Sequence, residues 1–237
     1  MENFADADVG YVTGKMVYVN PDGTVIGDGC SAYMKYENFL RAGETKIGSV
    51  VGVDGGIDAI RKKLYKSMNP DQLPDFVLPL SVVEQGFRVV YEPGALLRED
   101  ALKESSDEYR MRVRVSLRAL WALFDKRAMF FSGDNLLYAW QMFSHKVARY
   151  LCFIFMVLAF ISNLILINQG VGYLLFFLLQ SSAYLLAIVS PLFERKGMKL
   201  KIAYLFYYFA LINFAAGHAF LKFLMGKKQV LWNPRKG

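Results

Sequence analysis

Three short stretches of this 237-residue sequence carry residues spaced for chemistry. Asp6 and Asp8, in "DAD", are carboxylates one residue apart, a spacing that can hold a divalent ion. Asp54, Gly55 and Gly56 lie within "GSVVGVDGGIDAIRKKLY" (48–65). There a β-rich run, Ser49 to Val53, breaks at a glycine pair, and Ala59 to Tyr65 reads as the start of a basic helix. Strand, glycines, then helix is how a backbone comes close to a ligand, and equally how an ordinary tight turn looks. Arg110, Arg112, Arg114 and Arg118 give a third segment, a helix from Asp107 to Phe124, its basic face. Cys30 and Cys152 fall in unlike surroundings, so no disulfide is expected and no metal-ligand spacing exists. His145 reads as an interfacial residue and His218 as a polar residue facing neighbouring helices.

The composition says where these residues must work. Hydrophobic residues make up 54% of the chain and aromatics 15%, concentrated in one half. The runs 150–167, 171–193 and 202–221 contain no Asp, Glu, Lys or Arg. A bilayer core takes roughly 20 apolar residues per helix, so all three read as membrane spans. Charge divides along the same line. Residues 1–109 hold 11 Lys/Arg against 18 Asp/Glu, and residues 110–237 hold 17 against 3. The basic residues cluster beside the spans, at Lys126, Arg127, Lys146 and Arg149, and again at Arg195, Lys196, Lys199 and Lys201. That is the positive-inside pattern, and it argues against nucleic acid as a partner and for membrane lipid. The acidic start, "MENFADADVG", has no apolar core and does not read as a signal peptide.

The polar half reads as α/β. Residues 9–19 alternate as a strand, "NPDGT" (20–24) is a turn, and 30–42 form an amphipathic helix. After the link "MNPDQLP", a helix is expected over 76–85 with Gly86 at its C-cap, then a strand over 87–93 stopped by Pro93. Residues 136–147, rich in Trp and Phe, read as a helix lying in the membrane interface. About three strands give a thin core for a whole domain.

In order along the chain, "VGYVTGKM" (9–16), "GVDGGIDAIRK" (52–62), "PDFVLPLSVVEQGFRVVYEPGA" (74–95), "YRMRVRV" (109–115) and "GKKQVLWNPRKG" (226–237) carry a resemblance. Together with the spans that follow, they resemble the processive, membrane-embedded family 2 glycosyltransferases, the group that includes cellulose and hyaluronan synthases. The resemblance covers nearly the whole chain. It implies a partial GT-A-like catalytic domain over 1–115, interface helices over 116–147, three transmembrane helices over 148–224 and a basic tail over 225–237.

The resemblance also implies roles. The general base is the Asp that stands 11 residues before a Gly-aromatic-Arg turn, here Asp75 before "GFR" at Gly86. Pro74 replaces the acidic residue that often precedes it, and Asp75 also stands where a helix N-cap would. Asp54, Gly55 and Gly56 fall in the acceptor-binding loop, with Arg61 supporting it. Arg114, then Arg112, stand for the arginine that stabilises the diphosphate leaving group, although the Gln and Trp of the family's motif are missing. The partners implied are a nucleotide-sugar donor and a glycan acceptor.

The family's metal-binding Asp-x-Asp has no counterpart. "DAD" follows no hydrophobic strand, and it matches an acidic turn that relatives carry downstream of the true motif. A divalent metal, Mg or Mn, is therefore expected for the full-length enzyme but not on residues of this chain. Met1 reads as internal to a longer parent whose nucleotide-binding half lies upstream, and this chain alone is expected to lack transfer activity. The alternative is a non-catalytic membrane scaffold derived from such an enzyme. The resemblance implies an integral protein of the plasma (inner) membrane with its catalytic part cytoplasmic. Topology favours three full crossings, which put the tail outside and break the positive-inside rule there.

Overall fold

The computed structural model describes residues 2–19, 25–101, 104–131, 135–195 and 201–230. A small mixed sheet and a larger set of helices make up the chain. Strand β1, Val9–Val19, is central; β2, Asp58–Ile60, pairs with it antiparallel and β3, Arg88–Asp100, parallel. The predicted turn at 20–24 lies outside the described residues.

β3 runs past Pro93, where sequence alone ends it. Gly14 pairs with Glu92 and Lys15 with Leu96, so residues 93–95 bulge out of the ladder. Proline needs no ladder partner there, and the Gly94 N–H donates to Glu92 Oε1 at 2.8 Å. Residues 58–65 also differ from expectation. Instead of a helix they form β2 and one 3₁₀ turn, Lys62–Leu64. Arg61 holds them extended: its N–H donates to Gly10 O at 3.0 Å and its guanidinium to the carbonyls of Val9, Phe4 and Asp6.

Helix α1, Val25–Ile47, packs along β1, and α2, Pro74–Val83, follows the proline link. Tyr11, Val50, Val53, Val82, Val89 and Tyr91 close the core between sheet and α2. A second core joins Phe76 and Leu80 of α2 to Ala119 and Leu123 of α3, Ser105–Asp125, and to Tyr138 and Met142 of α4, Leu136–Met142. From α4 the chain passes through a π turn, Phe143–Val147, into α5, Ala148–Tyr150. It then bends by 63° into α6, Cys152–Ile165.

Among the described residues, two helices are long and apolar enough to cross a membrane: α7, Val171–Arg195, and α8, Lys201–Leu224. α6 is shorter, at 14 residues, and reaches that length only if counted with the bent segment before it. Gln180 of α7 donates to Met156 O of α6 at 2.9 Å, and Phe160 meets Phe177 and Tyr184, so the two helices form an antiparallel hairpin. α8 lies against α3 and α1, burying Ala215 and Ala219 beside Leu117 and Leu120, and Tyr208 and Leu211 beside Cys30. Beyond α8, Trp121 Nε1 donates to Lys227 O at 2.9 Å, and Lys228 pairs with Asp71 at 2.7 Å. The start of the tail therefore lies on the polar half, not across a membrane from it as the sequence-based topology has it; Arg235 and Lys236 lie outside the described residues.

Candidate functional site

Asp75 enters the first turn of α2 behind Pro74, which suits the helix start because its missing N–H would be unpaired there anyway. The N-cap is Leu73, so Asp75 is not the cap that its position suggests. Its main chain supports the glycine loop instead: Val53 N donates to Asp75 O at 3.3 Å. Opposite, residues 49–53 run beside β3 without joining the ladder, with Val50 N donating to Val89 O at 2.9 Å. Gly55 then turns the chain with φ +73, a left-handed conformation that favours glycine.

Helix α1 grips this loop. Arg41 donates to Gly52 O at 3.1 Å and holds both carboxylate oxygens of Asp54, one of them at 2.5 Å. Glu44 Oε2 accepts from Val51 N at 3.1 Å. Asp54 is therefore first a partner of Arg41; a sugar hydroxyl would have to share its remaining lone pairs. Arg61 supports the entry to β1 and β2 rather than the loop's mouth.

Asp54, Gly55, Gly56, Asp75, Arg112 and Arg114 all line one cavity of about 640 Å³. All six residues proposed from the sequence thus share one space. On a helix each residue turns by about 100°, so Met111 and Val115 face the cavity squarely while Arg112 and Arg114 flank them. Arg112 is firmly held. Arg112 Nε donates to Glu108 Oε1 at 2.7 Å, its other end to Tyr208 O–H at 2.6 Å, and the guanidinium lies over the Tyr33 ring. Glu108 is fully buried; against the penalty of that burial, Arg112 and Tyr208 hold its carboxyl below the usual range.

Sequence reasoning missed the third wall. The π turn inserts one extra residue per turn and rotates His145, Lys146 and Arg149 inward from a helix read as interfacial. His145 is buried, not interfacial, with Nδ1 2.5 Å from Glu44 Oε1 and Nε2 3.4 Å from Glu37 Oε2. Arg149 pairs with Glu37 and donates to Tyr33 O–H at 3.1 Å. Lys146 is 93% buried, and its ammonium lies 5.7 Å from the Phe76 ring centre, beside Gly52. The signal was legible as "SHKVAR", a charged cluster inside an aromatic-rich helix. Leu136, Leu137 and Trp140 of α4, and Phe143 just after it, are exposed. His218 meets Tyr109 of α3 at 3.0 Å.

The electrostatics single out Asp75. Burial pushes its carboxyl up to about 6, against its own backbone N–H and Lys146, which pull it down, while Asp58 and Asp54 add to the rise. Among the described residues no side-chain donor reaches it, and its other neighbour is the Gly55 backbone. It is a basic carboxylate facing open space.

Among the described residues, no three His, Cys, Asp or Glu side chains converge on a common point. Asp6 turns its Oδ1 onto the N–H of Asp8 at 2.9 Å and faces Arg88 at 3.7 Å, an acidic turn away from the cavity. No family model matches this chain, and no curated protein sequence matches it either.

Proposed function

We propose that this chain supplies the acceptor and base side of an inverting sugar transfer at a membrane face, in polysaccharide synthesis. The observation that carries the reading is Asp75: a carboxylate that no side-chain donor reaches among the described residues, basic for its type, in a cavity with the glycine loop on one side and arginines on another. In the reaction, the oxygen of an acceptor hydroxyl bonds to the anomeric carbon of a nucleotide sugar. The bond from that carbon to the diphosphate breaks, and Asp75 takes the hydroxyl proton. A carboxyl near 6 is largely ionised at neutral pH yet more basic than an exposed one, which suits a general base. Gly55 and Gly56 let the sugar approach the backbone. Arg114 meets the charge on the departing diphosphate, and Arg112, already bound to Glu108 and Tyr208, mainly holds α3 to α8. In this reading the site faces the cytoplasm from the plasma membrane, where nucleotide sugars are made.

The test is incorporation of radiolabelled sugar from a panel of nucleotide sugars into glycan, by native membranes holding the full-length gene product. Asp75→Asn at equal protein level is expected to abolish it. Near-normal incorporation by the Asn variant, or none from any donor by the unaltered protein, leaves the non-catalytic scaffold as the better reading.

A further inference from the structure

Helix α8 is as apolar as a membrane span and touches the α6–α7 hairpin, with Phe153 of α6 against Gly217 and Phe220, but its most extensive neighbour is the polar helix α3. Along its length it follows α3 in parallel: Tyr208 meets Glu108 and Arg112, Ala215 and Ala219 meet Leu117 and Leu120, and Phe223 meets Trp121 at 4.7 Å between ring centres. α3 is a polar helix whose Arg112 and Arg114 line the charged cavity. A charge at bilayer depth costs several kcal/mol or more, and several such charges cannot be carried there by one neighbouring helix. α8 must share the depth of α3. Its ends agree: Tyr208 near the start and Lys227 just past the end both bond to the polar half.

We infer that α8 does not cross the membrane: it lies along the surface of the bilayer on the same side as the polar half, and only the α6–α7 hairpin enters the lipid. The face of α8 turned from α3 exposes Ile202, Phe214, Leu221 and Leu224, an apolar stripe fitted to the acyl boundary. It continues onto the hairpin, whose α7 is almost bare, 6% of its apolar window being buried. Lys222 and Lys227 flank the stripe as anionic headgroups require. This arrangement removes the conflict in the charge pattern. The end of α7, the start of α8 and the start of the tail fall on one side, with the uncharged turn "NQG" (168–170) on the other. The inference is independent of the sugar-transfer reading.

Single cysteines at Glu104, Gln169 and Gln229, in a chain lacking Cys30 and Cys152, are labelled in intact cells and after lysis with a membrane-impermeant maleimide. The expected result is that 104 and 229 share one accessibility and 169 shows the opposite. Agreement of 229 with 169 means that α8 spans; agreement of all three means that the hairpin does not cross; either overturns the inference. Phe214 and Leu179 are both exposed, so a nitroxide at either leaves the packing intact. Spin labels there are expected at headgroup depth for 214 and near the bilayer centre for 179. Equal depths would also overturn it.

Discussion

A β-carbon added to Gly55 would stand 2.8 Å from the Cβ of Asp75. Loop and helix start are thus packed to the limit, and the relation depends on the absence of one methyl group. Gly55→Ala meets both this clash and the left-handed φ of +73, a strain of order 1–3 kcal/mol. We expect a lower melting temperature and loss of transfer. Gly56→Ala meets the flexible ends of Leu97 and Met16, and Gly43→Ala, in α1 with nothing within 4 Å, should be neutral or stabilising. Thermal unfolding of the three variants in detergent checks the order; equal effects at 55 and 43 would refute it.

Asp75→Asn should raise stability while abolishing transfer. The folded carboxyl is raised from 3.8 to about 6, so ionising it costs folding energy. Asp75 favours the fold fully below about pH 3.8, and that contribution is lost as pH rises through about 6. Asn removes the penalty, up to about 3 kcal/mol at neutral pH and vanishing near pH 4. Loss of the base costs on the order of 10²- to 10⁴-fold in rate. A melting temperature at pH 7.5 that falls on substitution contradicts this account.

With Asp75 as base, transfer should rise through pH 6 and level off above it. Lys146 is one of the groups that lower the Asp75 carboxyl, so Lys146→Met should move that acid limb to higher pH. Damage to packing alone would lower the rate at every pH and leave the midpoint in place. An unmoved midpoint in the pH–rate profile removes Lys146 from this role.

Arg112 and Arg114 should separate into fold and chemistry. Arg112→Ala leaves Glu108 buried without its cation, a change that typically costs about 3–5 kcal/mol. Arg112→Ala is expected to fail in folding or expression. Arg114→Ala should fold and lose on the order of 10²- to 10³-fold in transfer, as for other donors to a developing anion. A well-folded Arg112 variant with the larger kinetic loss would reverse the assignment.

Much of this protein follows from local pattern. The alternation of 9–19 makes β1, the uncharged run 171–193 makes α7, and the glycine pair after "GSVVGVD" makes the tight loop, because each depends on periodicity or backbone freedom within a few residues. The six site residues named from the sequence line one cavity for the same reason: loop, α2 and α3 each present them on a predictable face. What the tertiary structure decided depends on partners distant in sequence. β3 passes Pro93 because a bulge against Gly14 and Lys15 takes up the proline, and Arg112 is fixed by Tyr208, 96 residues away. Lys146 turns inward because α4 winds through a π turn above Gly52. The run 202–221 reads as a span from composition, and composition records how apolar a helix is but not what lies beside it; in the folded chain its most extensive neighbour is α3, a polar helix whose Arg112 bonds to Tyr208.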